Sequence, residues 1–260
     1  MRILITNDDG INSEGLAALR AALLPLGEVI AIAPERPRSA CGHAVTLHKP
    51  LRLTPVNLPD GGQSFASNGT PADCVALGTS EHLGPRPDLV VSGINLGPNL
   101  GADMLYSGTV AAAMEAAICG LPSFAVSVAS YRASDFRPAA DFAHCLAGAI
   151  LQHGLPTATF LNVNVPAVPV SVMAGLAFTR QGSVRYANRI ERRTDPRGVA
   201  YYWLSGDRVE HPGKADTDAH AVAHNRISIT PVCLDLSDDK TLAQLPDWDL
   251  RWPPQLSSES

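Results

Sequence analysis

Apolar and polar positions alternate in two distinct periods along the first two-thirds of the chain. Arg2–Thr6, Glu28–Ala33, Asp88–Ser92, Phe124–Val128 and Phe160–Val165 are short, largely apolar runs of strand length. Between them, Leu16–Leu24 carries apolar residues at helical spacing. Val110, Met114, Ala117 and Ile118 share one helical face, and Gly120-Leu121-Pro122 ends that helix. Ala139, Phe142, Ala143, Leu146, Ala147 and Ile150 form a second helical stripe. Runs that are apolar on both faces indicate strands covered on both sides. Their alternation with helices predicts an α/β fold: a Rossmann-like, mostly parallel sheet with helices on both faces, over residues 1–179.

The pattern changes after Pro169. Residues 180–204 hold Arg180, Arg185, Arg189, Arg192, Arg193 and Arg197, the run Tyr201-Tyr202-Trp203, and a turn signal at Asp195-Pro196-Arg197-Gly198. This predicts an extended β-hairpin leaving the core, with Ile227–Thr230 pairing back. An isolated two-stranded ribbon is marginal in water, and Arg, Tyr and Trp are enriched at the energetic centres of interfaces. Residues 180–232 are therefore expected to serve oligomerisation, and 233–260, rich in Asp, Pro and Ser, to be a loosely held tail.

Composition narrows the class. Of the 260 residues, 45% are hydrophobic and 17% charged, which supports a folded core rather than disorder. A formal net charge of −5 makes nucleic acid an unfavourable partner and requires local groups to neutralise any anionic ligand. Cys41, Cys74, Cys119, Cys145 and Cys233 form an odd, scattered set without paired spacing, expected to be reduced thiols. No signal-peptide pattern and no membrane-length apolar run is present, so a cytoplasmic protein is expected.

Chemistry gathers at the strand ends. Asn7-Asp8-Asp9-Gly10 follows the first strand, and adjacent carboxylates there repel one another unless a cation lies between them. The alternative is a turn with a capping Asp. The second strand runs into Glu35-Arg36-Pro37-Arg38-Ser39, and the strand at Asp88–Ser92 into Gly93 through Asn99. The donors these ends deliver are all oxygens, which favours Mg²⁺, Mn²⁺ or Ca²⁺ over zinc. Ser107-Gly108-Thr109 opens the Ala-rich helix and reads either as an anion pocket or as an ordinary cap. Gly69 through Asp73 reads as a turn into a helix. His220 and His224 are spaced i, i+4 without a metalloprotease motif.

In this order, Ile3–Ile11, Ser39, Gly69–Val75, Pro87–Gly101 and Tyr106–Glu115 resemble the SurE (survival protein E) family of 5′/3′-nucleotidases, with weaker matches at Tyr201–Leu204 and Asp216–Val232. Glu35 and Cys41-Gly42 depart from the usual family pattern around Ser39. The resemblance implies one divalent metal ion per subunit, Mg²⁺ or Mn²⁺ with Ca²⁺ as a crystal substitute, held by Asp8, Asp9, Ser39 and Asn95. It places Asn99, Ser107, Gly108 and Thr109 beside the phosphate. It also implies hydrolysis of nucleoside 5′- and 3′-monophosphates, in some members of short polyphosphate, by homodimers or homotetramers that exchange C-terminal and hairpin segments.

The expected activity is thus metal-dependent phosphomonoester hydrolysis, with Asp8 or Asp9 as the catalytic carboxylate. Two rivals stand beside it. One is a phosphoaspartyl phosphatase with Asp8 as nucleophile, for which no lysine partner is evident at a later strand end. The other is a nucleotide-binding sensor or scaffold without turnover.

Overall fold

In the computed structural model, which describes residues 1–57, 61–183, 185, 186, 189–205, 208, 209, 214–248 and 250, the first strand lies at the centre of a sheet. β1 (Arg2–Thr6) is buried along its whole length, with parallel neighbours on both sides. In chain order the remaining elements are α1 (Glu14–Leu23), β2 (Glu28–Pro34), β3 (Leu53–Pro55), β4 (Ser64–Ser67), α2 (Pro71–Gly78), β5 (Leu89–Leu96), α3 (Gly108–Ile118), β6 (Ser123–Val128), α4 (Arg137–His153) and β7 (Thr159–Val165). They are followed by β8 (Leu176–Phe178), β9 (Arg185–Tyr186), β10 (Arg189–Thr194), β11 (Ala200–Ser205), β12 (Arg208–Val209), α5 (Asp218–Ala223), β13 (Ile227–Cys233) and α6 (Asp239–Gln244).

The nine-stranded sheet has the order β3-β4-β2-β1-β5-β6-β7-β13-β8. From β4 through β7 all pairings are parallel, while β3 and β13 join antiparallel to β4 and β7. Successive strand residues point to opposite faces. Ile3 and Ile5 accordingly pack with Leu16, Leu19, Ala143 and Ala147 of α1 and α4, while Leu4, Ile30 and Ile32 pack with Val75, Ala112 and Ala116 of α2 and α3. This is the expected Rossmann-like arrangement.

The helix boundaries follow local chemistry. Ser13 caps α1 through Leu16 N, and Ser107 caps α3 through Val110 N. At the other end of α3, Gly120 (φ 73°) lets Gly120 N reach Ala117 O and Leu121 N reach Ala116 O, a Schellman closure. The face of α3 differs from the periodicity-based expectation. Val110 and Ala117 are buried, but Ile118 is exposed, and Ala112, Ala113 and Ala116 fill the interior instead. Close approach to the sheet and to α2 favours alanine there over larger side chains.

A further correction concerns the second half. β13 and β8 are strands of the main sheet, so the α/β unit does not stop at residue 179 but takes back its far edge from residues 227–233. β3 and β8 are short edge strands and β4 a short strand one in from the edge, none with apolar alternation of its own, which is why periodicity did not find them. The hairpin is formed by β10 and β11, closed by Asp195, whose carboxylate accepts the N–H groups of Arg197 and Val199. In the tail, α6 and the turn Leu245–Trp248 have no buried residue, and 251–260 lie outside the described residues. The cysteines form no disulfide. Among the described residues no helix is long and apolar enough to cross a membrane.

Candidate active site

The chain leaves β1 towards β2 on one side and reaches β5 on the other, so the crevice beyond the carboxyl end of β1 is the topological switch point where α/β sheets bind ligands. Asp8 and Asp9 lie there. Their turn is built by buried Asn7, whose Oδ1 accepts Gly10 N (3.1 Å) and whose Nδ2 donates to Ser13 Oγ (2.6 Å). Gly10 (φ 101°) brings the chain against β2, with Ile11 N donating to Pro34 O (2.9 Å). Asn7 is thus the architect of the turn, and the two carboxylates are left for other partners.

A cleft of about 680 Å³ opens at this point, within the range usual for small-molecule sites. Asp8, Asp9, Ser39, Asn95, Asn99 and Ser107 all line it. The loop carrying Ser39 is tied to the first of these by Arg38 N, which donates to Asp8 O (2.7 Å). β5 runs farther than expected, and its pairing with β6 shifts register between Ser92 and Asn95, re-aiming the strand end as bulges do. Asn95 Nδ2 donates to Gly97 O (2.8 Å), leaving its amide oxygen as the acceptor.

Gly108 and Thr109 do not line the cleft. Thr109 is wholly buried, and its hydroxyl donates to Asp8 Oδ1. A Cβ on Gly108 would stand 2.8 Å from Asp8 Cβ and 2.9 Å from Cys41 Sγ. The Thr109 hydroxyl and the bare Cα of Gly108 therefore face Asp8, and what these two residues could offer a phosphate is their backbone N–H groups in the first turn of α3. The cause is that the first turn of α3 backs onto the loop that follows β1.

Burial pushes the carboxyls of Asp8 and Asp9 above the usual range, and the charge of Asp9 adds to the effect on Asp8. The Thr109 hydroxyl and Leu96 N (3.2 Å to Asp9 Oδ2) offset this in part. A divalent cation fits this donor set. It would relieve the repulsion, and the ligands offered are two carboxylates, a hydroxyl and an amide oxygen. Among the described residues no three His, Cys, Asp or Glu cluster together, so a metal would depend on Ser39 and Asn95 as well as the aspartates.

The opposite wall is pinned from β7. Asn99 N donates to Asn164 Oδ1 (2.8 Å), and Asn99 O accepts Asn162 Nδ2 (2.9 Å) and Asn164 Nδ2 (3.0 Å). Asn99 Nδ2 donates to Ser127 Oγ of β6 (2.8 Å). Sequence reading missed these partners. The signal was present as Asn162 and Asn164 in period two within an otherwise apolar buried strand. Asp103, Tyr106, Tyr131 and Leu204 also line the cleft and were not anticipated; Leu204 arrives from β11 of the hairpin. A second depression, of about 660 Å³, lies beyond β6 and β7. Its Asp135 and Arg137 satisfy each other at 2.8 Å.

The turn at Gly69 through Asp73 proves structural. Thr70 and Asp73 form a capping box on α2, and the Asp73 carboxylate also accepts Thr46 N (2.9 Å) and Thr46 Oγ1 (2.6 Å). Burial opposes ionisation of Asp73, but the bonds from Thr46 and Thr70 outweigh it and hold the carboxyl below its usual value. The stabilisation is therefore complete above the unfolded carboxyl pKa and lost as pH falls through the folded one. Asp73→Ala is expected to cost about 1–3 kcal/mol at neutral pH, with a smaller deficit in acid, as read from urea unfolding at several pH values.

Comparison with known proteins agrees with this geometry. Residues 3–188 match the family model described as survival protein SurE. The chain is 51% identical over 257 residues to a 5′-nucleotidase SurE of Moorella thermoacetica, covering 98% of this chain and 99% of that one. It is 52% identical over 240 residues to a 5′-nucleotidase SurE of Gloeobacter violaceus, covering 91% of each. The crystal structure of a SurE protein from Aquifex aeolicus superposes with a TM-score of 0.82 at 39% identity, over 95% of this chain and 99% of that one. By its fold, its switch-point cleft and its full-length similarity, the chain belongs to the SurE family.

Proposed function

We propose that this chain is a metal-dependent phosphomonoesterase of the cytoplasm that hydrolyses nucleoside 5′- and 3′-monophosphates to nucleoside and phosphate, with short polyphosphate as a further substrate. The observation that carries this reading is the Asp8-Asp9 pair at the switch point, sharing one cleft with Ser39, Asn95, Asn99 and Ser107. The names of the Moorella and Gloeobacter relatives support the substrate class.

Asp8, Asp9, Ser39 and Asn95 would hold one Mg²⁺ or Mn²⁺. Such an ion supplies neutralisation of phosphoryl charge and acidifies a water molecule. The chain's own groups do the rest. The N-terminus of α3 presents first-turn N–H groups and a partial positive charge to the remaining phosphate oxygens, beside Ser107 and Asn99. Water attacks phosphorus in line, the P–O ester bond breaks, and the departing nucleoside oxygen leaves as a hydroxyl with the proton that the site takes from the attacking water, on the side of the cleft that Leu96, Tyr106, Tyr131 and Leu204 also line. Asp9, the more exposed of the two aspartates, accepts the proton of the attacking water. The reading is tested by incubating the full chain with 5′- and 3′-nucleoside monophosphates and Mn²⁺ and measuring nucleoside and phosphate release. Stoichiometric release of both supports it; saturable binding without release would make the chain a sensor.

The hairpin completes the proposal as the basis of a homodimer or homotetramer. Ile190, Tyr202, Trp203 and Leu204 are all more than half exposed on it, too much apolar and aromatic surface for a ribbon in water. A second copy of the chain offers a matching surface through closed symmetry. Deleting residues 184–202 and rejoining the ends is expected to yield smaller species by light scattering, while metal binding at the rim partly persists. An unchanged assembly would exclude the hairpin from this role.

A further inference from the structure

Asp218, at the start of α5, is fully enclosed (0% exposed) and lies 117 positions from its most telling partner. Its Oδ2 accepts Gly101 N (2.8 Å), and its Oδ1 accepts Gly182 N (2.9 Å) and Ala219 N (2.7 Å). The other end of residue 101 is held too, because Gln181 Nε2 donates to Gly101 O (2.9 Å). Gly101 (φ 56°) opens the turn Gly101–Leu105, and Asp103 O of that turn accepts the N–H groups of Tyr106 and Ser107. Asn99 stands two residues before Gly101. The stretch that supplies Asp103, Tyr106 and Ser107 to the cleft therefore hangs from a backbone unit gripped by Asp218 and Gln181, just beyond Asn99, which β6 and β7 pin.

The same carboxylate reaches the root of the hairpin. A Cβ on Gly182 would stand 2.6 Å from Asp218 Oδ1, so glycine is what permits the approach. Arg180 N donates to Asp216 O (2.8 Å) and Asp218 N to Arg180 O (3.0 Å), fastening residues 180–182 along 216–219. Thr217, the N-cap of α5, makes no side-chain cap bond, so Asp218 is set apart from ordinary helix capping.

We propose that Asp218 is a positioning residue of the hydrolytic site: its carboxylate sets the place of Gly101, and through the turn Gly101–Leu105 that of Ser107, while joining that loop to the base of the hairpin whose Leu204 lines the same cleft. The proposal rests on the phosphomonoesterase reading of that cleft. A displaced phosphate loop weakens the grip on phosphate itself, whereas a carboxylate that merely holds α5 in place lowers stability and leaves phosphate affinity alone.

The test uses the full chain with Mn²⁺ and three variants: Asp218→Ala, Asp218→Asn, and Gln181→Ala, whose exposed side chain makes the fold safe. Thermal midpoints, kcat and KM with p-nitrophenyl phosphate, and the inhibition constant of inorganic phosphate are measured together. Asp218→Ala is expected to raise that constant about tenfold or more, since small misplacements of binding groups cost this much. Asp218→Asn, which keeps an acceptor for Gly101 N, is expected to recover part of the loss. Gln181→Ala is expected to move the constant in the same direction by less, at an unchanged thermal midpoint. If Asp218→Ala fails to fold, the other two variants decide. An unchanged phosphate constant in both, with only the midpoint moving, overturns the proposal. If the wild type shows no turnover, the phosphomonoesterase reading fails instead, and calorimetric titration of inorganic phosphate into the same proteins judges Asp218 separately.

Discussion

Asp8→Asn and Asp9→Asn are each expected to lower kcat/KM about a thousandfold or more, because several kcal/mol of charge stabilisation depend on the pair. The fold should survive both changes. Burial raises both carboxyls, and the charge of Asp9 further raises Asp8, so ionising the pair destabilises the metal-free protein. A carboxyl whose folded pKa lies above its unfolded value contributes a penalty that grows as pH rises between the two and persists above them. At neutral pH the metal-free variants should therefore be as stable as the parent or more so, with a flatter pH profile. Saturating Mn²⁺ should reverse that order, since only the parent binds it well. Steady-state kinetics and thermal unfolding with and without Mn²⁺ read both effects. Near-normal activity in either variant would remove the aspartates from the reaction.

Gly108→Ala is expected to cost about a hundredfold in activity although it adds a single methyl group. Gly108 is the first residue of α3, where helix propensity alone favours alanine by up to about 1 kcal/mol. Against this stand the close approaches to Asp8 and Cys41, neither a flexible side-chain tip: one is a Cβ and the other a sulfur on a short stem. The methyl must push Asp8, the Ser39 loop or the first turn of α3, and each displacement opens the proposed metal rim. Activity should fall while the thermal midpoint of the metal-free protein changes little. Parent-like kinetics would show that the rim tolerates the shift.

Much of the fold was legible because it is local. β1, β2, β6 and β7 are apolar runs between punctuating residues, and what stands at the strand ends brings Asp8, Asp9, Ser39 and the stretch Gly93 through Asn99 to one rim, while the choice of Asn95 among them was implied by the family resemblance. What escaped is non-local. The hydroxyl of Thr109 meets Asp8, in the loop after β1, because α3 packs over β5 and β6 beside it, and no spacing rule reveals that. Asn162 and Asn164 serve Asn99 from a different strand, and Asp218 reaches Gly101 only after the return of the chain from the hairpin. β13 was recognised as pairing back, but not as a member of the main sheet, since its partners β7 and β8 are set by topology rather than by its own alternation.

The most direct test of a cation-dependent phosphate site at Asp8 and Asp9 is phosphate release from a 5′-nucleoside monophosphate by exhaustively chelated full-length protein, before and after titration with Mn²⁺ or Mg²⁺. The arrangement of oxygen donors predicts that chelation abolishes release and that either ion restores it saturably, with no restoration in Asp8→Asn. Full activity in the chelated protein would contradict the account.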